Sequence, residues 1–403
     1  MFVVFLLLYN TFLLFALPIV FLYYIVRILK TKDNFISFVQ KFGVYFLASS
    51  IKKYDIWFHA ASVGEVKSLE FIFKQYASSQ VLITTTTLKS KEVVDGYQNP
   101  NITHHFLPLD FPPFYLLFFF KNRCKTVVIA ESEIWPNFYF FLRLLGKKVT
   151  MFNARASKNT QKKWLKFSSI LREILKTCSV IIAQSQNSYE FFRKFHHNVQ
   201  YFGNLKLLNL DGITKHDGKI SSFCKKNSSI LCIASTHEGE DLPIIQAISQ
   251  FEEFGIVYIA RHPHRVYDIA KILQEYKITY AMYSTFNDNA VQCLLIDEIG
   301  LMIDCLSYAK LVIFGGSFLP HLKGHNVMEA AQFGCRIITG RFVETFAEII
   351  NEMTVKQAII QCDINGIRGA IAVAIKNEVI GGNAKTYVAS AKPDMAKILT
   401  YFA

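Results

Sequence analysis

Residues 127–133 read Val127-Val128-Ile129-Ala130-Glu131-Ser132-Glu133, and residues 311–317 read Leu311-Val312-Ile313-Phe314-Gly315-Gly316-Ser317. In both, a short apolar run passes directly into polar or glycine residues. A strand covered on both faces of a parallel sheet has this composition, and ligand chemistry in such sheets collects beyond the strand carboxyl ends. Four further strings stand in similar places: HAASVGE (His59 to Glu65), NARAS (Asn153 to Ser157), ASTHEGE (Ala234 to Glu240) and RHPHR (Arg261 to Arg265).

Outward from these strings, strand-like and helix-like runs alternate from Ile56 to Ala183 and again from Ile230 to Thr339. Such βα alternation predicts parallel sheets with helices on both faces. The expected fold is α/β, two Rossmann-like domains facing a cleft as in GT-B enzymes, preceded by a membrane anchor. The expected boundaries are 1–30 for the anchor, 31–205 for a first domain, 206–226 for a linker with Asp211-Gly212 and Asp217-Gly218, and 227–403 for a second domain.

Met1 to Val26 carries no charged side chain, and roughly 20 apolar residues suffice to span a bilayer core. Arg27, Lys30 and Lys32 follow, which predicts a spanning helix with the downstream chain on the cytoplasmic side. A helix lying in the membrane interface, or buried as core, is the competing reading. A cleavable signal is disfavoured because the run is too long and has no basic leader. Asn34 to Leu47 has Phe35, Phe38, Val39 and Phe42 at amphipathic spacing. The block FPPFYLLFFF (Phe111 to Phe120) reads equally as a buried helix or as a greasy surface bordered by Lys121 and Arg123.

The formal net charge of +13 implies an anionic partner: nucleic acid, anionic membrane lipid or a phosphorylated substrate. The basic residues are dispersed and no nucleic-acid module is present, so nucleic acid is not expected. The 8 cysteines lack CxxC spacing and sit among apolar residues, which predicts buried free thiols. No metal site and no cofactor are expected.

Glu65 stands after a Val63-Gly64 turn, where the start of a helix would hold a carboxylate ionised and ready to accept a proton. Taken alone, the segment reads as an ordinary first-turn glutamate. Glu131 and Glu133, two residues apart at a strand end, are expected on one face, where they would raise the pKa of nearby acids. Arg155 is placed to pair with them or with an anionic substrate group. In the second half, Ser235 and Thr236 precede a helix and suit a phosphate, with Arg261 and His262 adding charge at a strand end. Gly316 and Ser317 offer close backbone approach, and Asn326, Val327 and Met328 lead to Glu329, spaced as a capping box.

In order and spacing these strings resemble the bacterial Kdo transferase family, which attaches 3-deoxy-D-manno-octulosonic acid to the lipid A precursor. The resemblance runs from about His59 to about Ile350. It implies an inverting transferase of the inner membrane that uses CMP-Kdo as donor and lipid IVA as acceptor, next to anionic lipids. It further implies that Glu65 is the catalytic base, that one of Glu131 and Glu133 is essential, and that Glu329 holds the ribose. Backbone at Ile299, Gly300 and Leu301 would read the base, Arg261 or Lys323 would meet the phosphate charge, and the tail after about Asn383 would pack back on the first domain. The loop 318–323 and residues 340–346 depart from the family pattern. The rival readings are a GT-B glycosyltransferase with another nucleotide sugar, and a non-catalytic membrane-tethered nucleotide- or nucleic-acid-binding protein.

Overall fold

The apolar runs close into two sheets in which every pairing is parallel. The computed structural model describes residues 2–44, 51–203, 205 and 217–402. In the first unit the strands are β1 (Lys52–His59), β2 (Val81–Thr85), β3 (Ile102–Phe106), β4 (Asn122–Ala130), β5 (Lys148–Ala154), β6 (Cys178–Ala183) and β7 (Val199–Tyr201). They lie in the order β3-β2-β1-β4-β5-β6-β7. The second unit holds β8 (Ile230–Thr236), β9 (Gly255–Ala260), β10 (Tyr280–Met282), β11 (Cys293–Leu295), β12 (Leu311–Phe314), β13 (Arg336–Thr339) and β14 (Ile360–Gln361). Their order is β10-β11-β9-β8-β12-β13-β14. Strand order reverses between β1 and β4 and between β8 and β12, and these are the switch points at which doubly wound sheets bind ligands.

The helices of the first unit are α1 (Phe2–Leu29), α2 (Phe35–Lys41), α3 (Val63–Gln75), α4 (Leu88–Asp95), α5 (Pro112–Lys121), α6 (Pro136–Leu144), α7 (Lys158–Lys166), α8 (Ser168–Leu175) and α9 (Gln186–Arg193). Those of the second are α10 (Gly218–Lys226), α11 (Asp241–Ile248), α12 (Val266–Glu275), α13 (Met302–Tyr308), α14 (Met328–Gln332), α15 (Ala347–Val355), α16 (Ile367–Lys376) and α17 (Val379–Ala391). A last helix, α18 (Met395–Leu399), lies in the segment Lys392–Ala403, which belongs to the first unit.

Side-chain alternation divides the first core between the two faces of its sheet. Trp57, Val127 and Ile129 meet Phe138 and Leu142 of α6 and Leu171 of α8. Phe58 and Val128 point the other way, to Leu69 and Ile72 of α3 and to Ile398 and Phe402. The return of the chain to this unit thus begins at Lys392 rather than near Asn383. Gly381 of α17 is held where a Cβ would stand 2.2 Å from the Gly334 carbonyl, so that helix is locked against α14 by a contact only glycine permits.

The segment 206–226 does not read uniformly as linker. Residues 206–216 lie outside the described residues, whereas Asp217 caps α10 by accepting from Lys219 and Ile220, and α10 buries Ile220 and Phe223. The amphipathic stretch expected over Asn34 to Leu47 is shorter. Asn34 and Ser37 form a capping box, the helix ends at Lys41, and Gly43 follows with φ 78°. Residues 45–47 lie outside the described residues. Phe38 and Phe42 face Phe21 of α1, while Phe35 is exposed. In α5, Tyr115 and Phe118 are buried while Leu116, Leu117 and Phe120 are exposed. Both readings of the aromatic block therefore hold, one on each side of the helix.

The join between α1 and α2 is ionic. Asp33 takes the guanidinium of Arg27, the Lys41 ammonium and the Ser37 hydroxyl, and the side chains of Lys41 and Asp33 are 3% and 0% exposed. Lys41, one of the basic residues near the apolar amino terminus, is thus spent inside the protein. Removing one partner of a buried pair leaves an uncompensated charge. Asp33→Ala is expected to destabilise the first unit by about 3 to 5 kcal/mol. Urea unfolding in detergent checks this, with exposed Phe35→Ala as the near-neutral control.

Candidate functional site

Three strands of the first unit end in unusual backbone or unpaired polar groups. His59 closes β1, fully buried, with Nδ1 2.9 Å from Thr84 Oγ1 and Nε2 without a partner among the described residues. Burial pushes its imidazole down to about 4, so it is neutral at pH 7. Glu131, just past β4, has φ 52°, and Asn153 in β5 has φ 56°. Non-glycine residues held there carry strain of order 1–3 kcal/mol, a pattern concentrated at functional sites. The Oδ1 of buried Asn153 also has no partner among the described residues.

Glu65 lies in the first turn of α3. Ser62 caps the helix, accepting from the Glu65 amide at 3.3 Å and donating its hydroxyl to Oε1 at 2.8 Å, while the Ala61 amide donates to Oε2 at 2.8 Å. The carboxyl is not simply held ionised by the helix start. Burial pushes it up to about 7, Ser62 and Ala61 oppose the shift, and the nearby carboxylates of Glu133 and Glu131 add to it. Glu131 and Glu133 are thus within electrostatic reach of Glu65, but strand alternation does not bring the two together. The chain leaves β4 at Ala130, and the left-handed turn at Glu131 ends the period of two. Glu133 accepts from the Trp135 indole at 2.7 Å. Ser132 ties this turn to the end of β5, donating to the Arg155 carbonyl at 2.7 Å and accepting from its amide at 3.0 Å. The Arg155 side chain is exposed and pairs with neither glutamate.

In the second unit one carboxylate organises the strand ends. Glu240, fully buried, accepts from the amides of His237 at 2.8 Å, Gly316 at 2.7 Å, Ser317 at 3.1 Å and Phe318 at 3.0 Å. The Gly316 and Ser317 amides expected to approach a ligand are consumed by this side chain. The Ser317 hydroxyl is also engaged, donating to Phe314 and accepting from Thr339 and Gly340. Gly316 has φ 71°, and a Cβ there would stand 2.4 Å from the His325 ring. His325 in turn stacks on His237, with Nε2 atoms 3.1 Å apart. Burial, with His237 and Arg261 nearby, pushes His325 down to about 4, and burial likewise lowers His237.

Ser235 has φ 59°, and the buried Thr236 hydroxyl, beside that of Tyr258, makes no well-formed hydrogen bond among the described residues. The Thr236 carbonyl accepts from the Arg261 amide at 3.0 Å and from Arg265 at 2.7 Å. Arg265 also pairs with Asp241, which accepts the Tyr258 hydroxyl at 2.8 Å, so Arg265 is structural while Arg261 and His262 are exposed. The expected capping box at Glu329 is not formed. Helix α14 starts at Met328 with Val327 as its cap, and Asn326 Oδ1 accepts from the Met328 amide at 3.2 Å. Glu329 therefore lies in the first turn without the N3 geometry. The Val327 and Met328 side chains are buried, leaving only backbone to a ligand. Ile299 is 88% exposed, Gly300 has φ 99° and Leu301 caps α13. The Lys323 carbonyl accepts from Thr345.

Sequence reasoning missed the Glu240 clamp and the His237–His325 pair, although His237 stands inside ASTHEGE and His325 immediately precedes Asn326. Together these groups supply a poised carboxyl in one unit, and in the other neutral imidazoles, an exposed guanidinium and a buried hydroxyl suited to a polar anion. Glu240→Ala strands four amides and is expected to destabilise the second unit by about 3 kcal/mol or more. Glu240→Gln, which keeps one acceptor oxygen, should lose less, as thermal unfolding would measure.

A family model described as 3-Deoxy-D-manno-octulosonic-acid transferase (kdotransferase) matches residues 37–209. The chain is 32% identical over 329 residues to the 3-deoxy-D-manno-octulosonic acid transferase of Rickettsia felis, covering 78% of this chain and 70% of that one. It is 26% identical to the enzyme of that name from Haemophilus influenzae, covering 91% and 89%. Among solved structures, UDP-GlcNAc 2-epimerase from Neisseria meningitidis aligns with TM-score 0.58 at 13% identity, over 84% of this chain and 99% of that one. Spinosyn rhamnosyltransferase aligns at 0.53 and 12%, over 86% and 99%. At these identities the structural likeness speaks to fold alone, and it places the two parallel seven-stranded units in the GT-B class. The chain belongs to the 3-deoxy-D-manno-octulosonic acid transferase family and is a glycosyltransferase.

Proposed function

We propose that this enzyme transfers Kdo from CMP-Kdo to lipid IVA with inversion, at the cytoplasmic side of the inner membrane, with α1 as its membrane anchor. The observation that carries the mechanism is Glu65, a nearly buried carboxyl beside Glu131 and Glu133 whose pKa is raised to about 7. A base of that strength is matched to a hydroxyl nucleophile at neutral pH. The acceptor oxygen forms its bond to C2 of Kdo as its proton passes to Glu65, and the bond from C2 to the phosphate oxygen breaks on the opposite face.

CMP leaves with one phosphate, so the charge that develops is modest. Arg261, Ser235 and the Thr236 hydroxyl meet it, beside His237 and His325, and Lys323 adds a cation nearby. Since Glu240 already occupies the Gly316 and Ser317 amides, these two residues shape the donor site rather than bind the phosphate. Glu329 holds the ribose hydroxyls, and backbone at Ile299, Gly300 and Leu301 reads the base. His262, Asn326, Val327 and Met328 complete the donor site, the last two through backbone alone. On the acceptor side the exposed Arg155 suits a phosphate of the lipid.

Incubating purified protein with CMP-Kdo and lipid IVA in detergent and weighing the products tests the reaction. No mass gain of one or more Kdo units would refute it. Glu65→Gln should keep CMP binding but lose two to four orders of magnitude in turnover. Because the base works only when ionised, wild-type turnover should rise with pH through about 7 and level off above it, and that limb should vanish in Glu65→Gln. Glu329→Ala should weaken CMP by about 1 to 3 kcal/mol by calorimetry, with acceptor affinity nearly unchanged.

A further inference from the structure

Along α1 the less exposed positions recur every three or four residues from the first turn to the last, among them Phe2, Leu6, Asn10, Leu13, Leu17 and Tyr24. This stripe is the side on which the helix rests on the first unit. At its start, Phe2 lines a cavity with Ser168 and Arg172 of α8, and Phe2 and Phe5 pack against the core beneath. One turn on, the Tyr9 hydroxyl donates to Asp110 at 2.9 Å, and Asn10 exchanges side-chain hydrogen bonds with Asn137 at 2.7 and 3.1 Å. At the far end, Phe21 meets Phe38 and Phe42 and Arg27 pairs with Asp33. Both ends of one 28-residue helix, about 42 Å long, are thus fastened to the same unit.

A perpendicular span cannot satisfy these contacts. With Arg27 at the cytoplasmic interface, Asn10 would stand about 25 Å deeper, near the opposite leaflet, and would have to carry Asp110 and Asn137 with it through hydrocarbon, where a polar or ionised group is costly. The opposite side of α1 is nevertheless bare and apolar: Val4, Phe15 and Val26 are 58%, 76% and 45% exposed. Exposed apolar residues on α5, which covers the same side of the first sheet, add to it. A patch of that kind on a folded protein marks a partner. Exposed Lys30, Lys32, Arg123, Lys162, Lys163 and Lys166 belong to this unit and complement anionic headgroups rather than an acidic protein groove, which would also need polar partners along the apolar stripe.

We infer that α1 lies in the plane of the bilayer, seated on the first unit by one side and immersed by the other at the headgroup–acyl boundary of anionic lipid, rather than crossing the membrane. This rests on the reading that α1 is the membrane anchor. Val4→Cys, Phe15→Cys and Val26→Cys fall 11 residues apart on one stripe and should not disturb folding, because all three are exposed. Seven native thiols are buried, and the eighth, Cys362, is half-buried and is replaced by Ser.

Each full-length variant would be labelled with a nitrobenzoxadiazole probe and reconstituted in vesicles of phosphatidylethanolamine and phosphatidylglycerol in equal parts. Depth is read by quenching from phospholipids spin-labelled at different positions. An in-plane helix gives three equal, shallow depths. A spanning helix puts Phe15 near the bilayer centre, about 10 Å or more deeper than the other two, and would overturn the inference while leaving the anchor intact. Vesicle flotation with no quenching at any position would mean that protein covers this side, which also overturns it. Failure to float with the vesicles would refute the anchor reading itself.

Discussion

A strand covered on both faces has no place along its length for a charge, so a chain built on two all-parallel sheets must deliver its polar chemistry where the strands stop. That constraint accounts for most of what is unusual here. The left-handed residues Glu131, Asn153 and Ser235 all lie at or just past strand ends, as do the polar atoms of His59, Asn153 and Thr236 that make no well-formed hydrogen bond among the described residues. Strain and incomplete hydrogen bonding are tolerated there because the packed sheets beneath over-determine the backbone.

Two glutamates show how the same side chain takes opposite parts under that constraint. Glu240 is surrounded by amide donors from two loops and shapes the second unit. Glu65 has only the Ala61 amide and the Ser62 hydroxyl, so burial dominates and the proton is held loosely near neutrality. The number of donors aimed at a buried carboxylate separates a structural clamp from a proton acceptor. The second unit's histidines follow the same logic: buried, and crowded by His237 and Arg261, His325 stays uncharged and acts as a hydrogen-bonding surface.

The sheets were legible because runs such as Val127 to Ala130 and Leu311 to Phe314 can be little else than buried strands. Site positions were legible because polar strings follow those runs directly. What escaped had no local signature. Nothing near Glu240 says that three of its four amide partners stand 76 to 78 residues away. The spacing of Glu131 and Glu133 implied a continuing strand, whereas a single left-handed residue ended it. Asp217-Gly218 resembled loop because an N-cap and a turn share residue types. Along α1 the sequence is apolar all round, so hydrophobic periodicity could not disclose which side meets protein. Only the isolated Tyr9 and Asn10 hinted at it.

The distant partners of α1 have a consequence for how the chain is made. Tyr9 and Asn10 emerge from the ribosome 101 and 127 residues ahead of Asp110 and Asn137. At synthesis rates of 5–20 residues per second, the helix waits roughly 6 to 25 seconds for its seat to exist. During that interval its apolar surface is uncovered on every side and lipid is the available cover. On the anchor reading proposed above, the nascent chain meets the membrane before the first sheet can form, and the domain completes itself against a helix already placed.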